Sequence, residues 1–132
     1  MNTECMEHEI SIARKASLEA GKILFNNKKA LNKSIFESSK DIKLEADVIA
    51  EKLIKAVLGK ESVYPILAEE SGKSVNDLGS TFWVVDPLDG TANYSRDIPI
   101  CCVSIALIKD LEPVMGVIYD FNNDDLYEGS IY

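Results

Sequence analysis

Histidine, cysteine and tryptophan are scarce in this 132-residue sequence, which has one histidine, three cysteines and one tryptophan. The single histidine, His8, falls in a predicted helix and is expected to be exposed, so no histidine-centred nucleophile is indicated. Cys5, Cys101 and Cys102 are odd in number, and two are adjacent, which excludes a disulfide framework and does not match zinc-ligand spacing. We interpret Cys101 and Cys102 as small core residues, and reduced thiols favour a cytoplasmic location.

Basic residues are outnumbered: 14 lysines and arginines face 22 aspartates and glutamates, for a net charge of −8. A chain without a basic stripe is not expected to bind nucleic-acid phosphates. No apolar stretch reaches membrane-spanning length, and the N-terminus has no apolar signal-peptide segment. We therefore expect one domain over residues 1–132, with no nucleic-acid or membrane partner.

Apolar periodicity predicts two long helices in the first half of the chain. Small and apolar residues at helical spacing predict the first helix over residues 4–29. A broader apolar face that includes Val48 and Ile49 predicts the second over residues 42–58, with Gly59 as its stop. Residues 31–40 between them are polar and read as a loop or an irregular strand.

Short apolar runs predict a series of strands after the second helix, over residues 64–68, 82–85, 98–107, 114–119 and 126–128. The last three are closely spaced, which favours an antiparallel meander. Helices followed by consecutive strands predict an α+β fold, with two long helices packed on one face of an antiparallel sheet.

The strongest chemical signal follows the strand over residues 82–85. Pro87 lacks an N–H, so the strand is predicted to end there, and Gly90 permits a turn. Asp86 and Asp89 then converge on the turn, with the Leu88 carbonyl between them, and such oxygen clusters suit Mg²⁺. The alternative is an ordinary turn, because Asp, Pro and Gly are common turn residues.

Three further features bear on this candidate site. Residues 91–93 could open a short helix whose N–H groups favour a phosphate. Glu69 and Glu70 end a strand, where paired carboxylates repel each other unless a cation or solvent separates them. Asp47 lies in the first turns of the second helix, where it either favours the helix dipole or points into a cation site.

Residues 83–94 resemble the first signature of the inositol monophosphatase family, W-[IV]-[IV]-D-P-[IL]-D-G-T-x-N-[FY], at every position. Residues 66–71 look like the family's l-x-E-E-S strand end. Asp47 followed by Glu51 looks like the D-x-x-x-E of its helix, and residues 99–107 look like its P-x-x-x-V-S-I-A strand. The resemblance implies the N-terminal half of the layered αβαβα fold shared by inositol monophosphatases and fructose-1,6-bisphosphatases.

The resemblance implies Mg²⁺-dependent hydrolysis of phosphate monoesters by in-line attack of an activated water. Glu70, Asp86 and the Leu88 carbonyl would hold a first Mg²⁺, and Asp86 and Asp89 would hold a second. The two ions would activate the water and stabilise the leaving oxygen.

The catalytic roles that the resemblance implies fall on Glu70 and Thr91, which would orient and deprotonate the water, and on Asp47, which would assist Thr91. The family's loop lysine has no clean counterpart, since Lys33 and Lys40 only flank its place. The substrate-binding residues implied are Glu70, Leu88, Asp89, Gly90 and Thr91.

The family's second signature, W-D-x-x-A-[AG], which supplies a further metal-binding aspartate, is absent. We therefore expect a truncated metal-binding phosphatase-like domain with impaired activity. The substrate class expected is inositol 1-phosphate-like, with 3′(2′),5′-bisphosphate nucleotides or fructose 1,6-bisphosphate as alternatives. Another alternative is a non-catalytic interaction or oligomerisation module, and a homodimer is a further possibility.

Overall fold

The computed structural model describes residues 3–38 and 42–131, with side chains from Met6 onward, so Lys40 lies outside the described residues. The helices are α1 (Thr3–Asn26), α2 (Lys28–Leu31), α3 (Glu45–Glu61) and α4 (Thr91–Ser95). The strands are β1 (Ser34–Glu37), β2 (Ile42–Leu44), β3 (Ile66–Ala68), β4 (Gly72–Lys73), β5 (Thr81–Asp89), β6 (Cys102–Lys109), β7 (Glu112–Asp120) and β8 (Asp125–Ser130).

Six of these strands form one sheet in the order β4-β3-β5-β6-β7-β8. The predicted meander is confirmed, because β6, β7 and β8 pair antiparallel in sequence order. One pairing differs from the prediction: β3 and β5 run parallel. After β3 the chain turns back to form β4, which pairs antiparallel with β3 on the edge away from β5. The chain then returns past β3, and β5 runs in the same direction as β3.

Helices α1 and α3 pack against each other and on one face of this sheet, α1 over β6 and β7 and α3 over β5. Small residues bring α1 close to the strands, since Ala13, Ala16 and Ala20 are fully buried. A Cβ at Gly21 would lie 2.4 Å from the Tyr119 ring, so only glycine permits this approach. The prediction of two long helices packed on a mostly antiparallel sheet is confirmed.

The second long helix begins and ends later than predicted. Residues 42–44 form β2, which pairs with β1, and α3 continues through Gly59 to Glu61. The start is fixed by a side chain inside the helix, because Asp47 Oδ2 accepts the Leu44 N–H at 2.8 Å. Val48 and Ile49, each 38% exposed, do not belong to the buried face, which is formed instead by Ala46, Ala50, Ile54 and Leu58.

Strand β5 does not end at Val85 as predicted but continues through Pro87 to Asp89. Pro87 is tolerated because the pairing with β3 stops at Val85, so no β3 residue needs its missing N–H. On the other side, the register with β6 shifts between Asp86 and Asp89. This irregularity turns the end of the strand into the wall of a cavity.

The structure also bears on the predictions for the cysteines, His8 and the segment between the long helices. Cys101 is buried and Cys102 half-buried, as expected for small core residues, and His8 is exposed. Of the segment predicted as a loop or an irregular strand over residues 31–40, residues 34–37 form strand β1. Leu31 instead is the last residue of α2. Within the described ranges, no helix is both long enough and apolar enough to cross a membrane.

Candidate active site

A cavity of about 400 Å³ opens where the parallel strands β3 and β5 end. Parallel neighbours place their carboxyl ends at the same edge of a sheet, so the residues that follow each strand meet there. The β1–β2 hairpin and the start of α4 complete the wall. The lining residues are Glu37, Ser38, Ile42, Glu69, Asp86, Leu88, Asp89, Gly90, Thr91, Ala92 and Arg96.

Glu69 and Asp86 form a carboxylate pair in this cavity. The Glu69 N–H donates to the Val85 carbonyl at 3.1 Å, which extends the parallel ladder by one residue and sets Glu69 beside Asp86. The hydrogen bond to the Asp86 side chain, with burial and nearby negative charge, raises the pKa of Glu69 to about 8. Asp86 Oδ1 is buried without a hydrogen-bond partner. The pair therefore lacks a compensating positive charge.

Glu70 is not among the residues that line the cavity. Its N–H donates to Oε1 of the buried Glu51 at 2.9 Å, which ties the turn to α3. Its own carboxylate pairs with Lys43 Nζ at 3.1 Å. The two adjacent glutamates thus face different neighbours, and the one beside Asp86 is Glu69, which the sequence analysis did not select.

The sequence carries a signal for the position of Glu69. Successive residues of an extended chain point to opposite sides, so only one of two adjacent glutamates can face Asp86. Choosing between them requires the parallel register of β3 on β5, in which Ala68 lies opposite Val85. Glu69 then lies next to Asp86.

Thr91 and Asp47 are brought together as the sequence analysis expected. The Thr91 hydroxyl lies 2.8 Å from Asp47 Oδ1 and 3.1 Å from the Leu88 carbonyl. Asp47 is only 2% exposed, and its other oxygen accepts the Leu44 N–H. Burial raises the pKa of Asp47, although both hydrogen bonds oppose the rise. Both carboxylate oxygens are therefore satisfied, in contrast to Asp86 Oδ1.

Gly90 sets the direction in which the chain leaves β5. Its φ is +98°, in the region that favours glycine, and a Cβ there would lie 2.8 Å from the Ile100 carbonyl oxygen. A side chain at this position would displace the backbone. Gly90 and the exposed Asp89 line both this cavity and a neighbouring one of about 420 Å³.

The carboxylates of the cavity differ from a closed metal cage. Between residues 3 and 38 and between 42 and 131, no three His, Cys, Asp or Glu side chains are arranged to hold a metal. Mg²⁺ does not need such a cage, because it usually binds one or two carboxylates and keeps several waters. The Glu69–Asp86 pair, with its unpartnered buried oxygen, fits that requirement.

Basic groups near the cavity are few. Arg96 is the basic residue among those that line it, and Lys33 is not one of them. The Lys33 carbonyl instead accepts the Glu45 N–H at 2.9 Å and so supports the start of α3. The cavity therefore presents mostly acidic and neutral groups, which attract a cation more readily than a free anion.

Comparisons with known proteins agree with this geometry. The model of the inositol monophosphatase family matches residues 2–131. The chain is 40% identical over 124 residues to Xylella fastidiosa "Nus factor SuhB", covering 92% of this chain and 44% of that protein. It is 35% identical over 133 residues to Aquifex aeolicus "Fructose-1,6-bisphosphatase/inositol-1-monophosphatase", covering 96% of this chain and 49% of that protein.

Solved structures with a similar fold come from the same family. The Bartonella henselae "extragenic suppressor protein suhB" superposes with a TM-score of 0.85 at 32% identity, covering 92% of this chain and 48% of that one. The Anabaena inositol monophosphatase gives a TM-score of 0.80 at 34% identity, covering 95% and 44%. The chain thus spans about half the length of the relatives it matches. On its sequence and its fold, it belongs to the inositol monophosphatase family.

Proposed function

We propose that this chain is the metal-binding part of a Mg²⁺-dependent phosphate monoester hydrolase, and that residues 1–132 form one domain. The observation that carries the proposal is the Glu69–Asp86 pair, in which a buried carboxylate oxygen has no partner. Carboxylates in that condition are stabilised by a bound cation. The family match and the names of its relatives support a phosphatase.

We propose a ligand set that differs from the sequence-based one at a single residue. Glu69 replaces Glu70 beside Asp86 and the Leu88 carbonyl in a first Mg²⁺ site, because Glu70 is paired with Lys43 outside the cavity. Asp86 and Asp89 belong to a second site, which needs ligands beyond these two. When bound, Mg²⁺ would activate a water and stabilise the leaving oxygen.

In the proposal, the residues around this site orient the attacking water and move one proton. In the proposal, Glu69 accepts a hydrogen bond from the attacking water and orients it. The water proton passes to Thr91 Oγ1 as the Thr91 hydroxyl proton passes to Asp47 Oδ1, 2.8 Å away. The raised pKa of Asp47 suits it to receive a proton. Thr91 is the catalytic residue here, and Asp47 acts through it.

The substrate proposed is a phosphate ester of an inositol-like alcohol. The Gly90 and Thr91 amides would bind the phosphate at the start of α4, and Leu88 and Asp89 would complete that wall. Relatives described as inositol-1-monophosphatases support this class. The Aquifex relative's description includes fructose 1,6-bisphosphate, which remains the alternative substrate.

The test is a Mg²⁺ titration by calorimetry, with a phosphate-release assay on inositol 1-phosphate. We expect weak, saturable Mg²⁺ binding and slow or no turnover, because the second-signature aspartate that the family resemblance implies is not in this sequence. Asp86→Asn serves as the control and should abolish the binding heat. Absence of Mg²⁺ binding by a folded wild-type chain would refute the metal assignment. Turnover at the rate of a full-length relative would refute the expected impairment.

A second candidate function is a non-catalytic binding module. The observation that favours it is the sheet face opposite α1 and α3, which exposes large apolar side chains such as Ile118 and Tyr127. Mg²⁺ binding discriminates between the two candidates, because a binding module has no need of a cation between Glu69 and Asp86. The free cysteines Cys101 and Cys102 fit the proposed cytoplasmic location of either.

A further inference from the structure

Two buried carboxylates of α3 contact the segments that follow β3 and β5. Asp47 is 2% exposed and Glu51 6% exposed, and they lie four residues apart, so they share one face of the helix. Like charges at this spacing destabilise a helix, and burial takes both groups away from water. Each carboxylate therefore needs hydrogen bonds that compensate for its burial.

The hydrogen bonds of these carboxylates go to two different turns. Asp47 accepts the hydroxyl of Thr91, at the start of α4. Glu51 Oε1 accepts the N–H of Glu70 at 2.9 Å, in the turn between β3 and β4. Four residues of an α-helix rise about 6 Å along its axis. One turn of α3 therefore sets the spacing between the end of β3 and the start of α4.

The bond from Glu51 to the backbone bears directly on the orientation of Glu69. The Glu69 N–H donates to the Val85 carbonyl at 3.1 Å, just beyond the last paired residues of β3 and β5. The next N–H along the chain, that of Glu70, donates to Glu51. The two peptide groups that flank the Glu69 Cα are thus anchored, one on β5 and one on α3. Because peptide groups are planar, this fixes the direction in which the Glu69 side chain leaves the backbone.

The other printed side-chain contacts of this turn hold the backbone less directly. The Glu70 carboxylate pairs with Lys43 Nζ, and Ser71 Oγ accepts from Lys55 Nζ at 2.9 Å. Both contacts join the ends of side chains that are partly or fully exposed, and such contacts constrain a backbone only weakly. Glu51 differs from them because it is buried and binds a backbone amide.

We propose that Glu51 is a positioning residue of the candidate site, whose bond to the Glu70 amide holds Glu69 beside Asp86 for Mg²⁺. This role rests on the proposed function, since it is there that Glu69 becomes a Mg²⁺ ligand. A residue that orients a metal ligand does not contact the ion, but its loss typically lowers metal affinity by about 10–100-fold. With Asp47 acting through Thr91, α3 then orients both the metal-binding carboxylate and the catalytic hydroxyl.

The test compares the Mg²⁺ affinities of Glu51→Met and Glu51→Gln chains by calorimetry. Methionine fits a buried position but offers only a weak sulfur acceptor, whereas glutamine keeps an oxygen that can accept the Glu70 N–H. Glu51→Met should weaken Mg²⁺ binding about tenfold or more, and Glu51→Gln should remain within about threefold of wild type. Ser71→Ala is the matched control, because it loses a bond from the same turn to α3 and keeps the Glu70 amide contact. It should bind Mg²⁺ like the wild-type chain.

Hydrogen exchange of the backbone amides gives a second readout that needs no metal. In the Glu51→Met chain, the Glu69 and Glu70 amides should exchange at least about tenfold faster than in wild type, while amides of the central strand β7 do not change. Unchanged exchange at Glu69 would overturn the proposal, and so would wild-type Mg²⁺ affinity in Glu51→Met or equal losses in the Met and Gln variants. If the wild-type chain binds no Mg²⁺, the proposed function fails, and exchange at Glu69 still decides whether Glu51 holds it beside Asp86.

Discussion

The two sides of the candidate site are built differently. On the side of α3, the Asp47 carboxylate is buried and both of its oxygens accept hydrogen bonds, one from Thr91 and one from the Leu44 N–H. On the side of β3, Glu69 and Asp86 contact each other, and Asp86 Oδ1 has no partner. In the first arrangement both carboxylate oxygens have partners within the described chain, whereas in the second one oxygen of Asp86 has none.

This difference separates a carboxylate whose hydrogen bonds contribute to stability from a carboxylate pair that we propose binds a cation. A buried carboxylate with satisfied oxygens contributes to stability, and removing its partner leaves an unpaired group. A carboxylate pair without a cation works against stability as soon as both groups ionise. Substitutions on the two sides should therefore have opposite signatures in stability and in metal affinity.

The largest effect is expected at Asp86. Asp86→Asn removes one charged ligand, and Mg²⁺ affinity should fall by about 100-fold or more. The metal-free variant should be as stable as wild type or more stable, because Glu69 no longer faces a second carboxylate. Calorimetry gives the affinity and urea unfolding the stability. A metal-free variant that is clearly less stable would assign Asp86 a structural role instead.

A smaller effect is expected at Thr91, where a substitution should lower stability and leave Mg²⁺ affinity nearly unchanged. Thr91→Val leaves a buried Asp47 oxygen unpaired, which should cost about 1–3 kcal/mol in the free energy of unfolding. Mg²⁺ affinity should change by less than about threefold. Thr91→Ser keeps the hydroxyl and should restore most of the stability. Normal stability in the Val variant together with a loss in the Ser variant would show that the methyl group, rather than the hydrogen bond, matters.

The smallest effect is a dependence of stability on pH. The folded chain raises the pKa of Glu69 from 4.5 to about 8, so the folded state binds this proton more tightly than the unfolded state. The resulting stabilisation is complete below about pH 4.5 and is lost as pH rises through about 8. Unfolding of the metal-free chain, followed in urea at several pH values, should show this decline. Glu69→Gln should flatten it, and an unchanged slope would contradict the assignment.

Much of this fold could be predicted because its signals are local. Alternating apolar residues predicted the meander of β6, β7 and β8, and residues 91–93 predicted the start of α4, whereas β5 continues past its predicted end to Asp89. Gly90 could also be predicted as a turn residue, because glycine readily adopts a positive φ, which is +98° here. These features depend on neighbours in sequence, where spacing and residue type carry the information.

The features that were missed depend on contacts distant in sequence. Glu69 lies beside Asp86 because β3 is parallel to β5, whereas the Glu70 carboxylate pairs with Lys43 and its N–H donates to Glu51, nineteen positions earlier. The start of α3 was misplaced because Asp47 binds back to Leu44. Spacing along the chain cannot choose between adjacent glutamates, because the choice depends on the parallel register of β3 on β5.

The central claim is that the cation-binding carboxylates are Glu69 and Asp86. It is tested most directly by replacing each of two adjacent glutamates, Glu69 and Glu70, with glutamine. Mg²⁺ is titrated into Glu69→Gln and Glu70→Gln chains by calorimetry, with circular dichroism confirming that both are folded. Glu69→Gln should weaken Mg²⁺ binding at least about 30-fold. Glu70→Gln loses only its ion pair with Lys43 and should change affinity by less than about threefold. Normal affinity in Glu69→Gln together with lost affinity in Glu70→Gln would contradict the account.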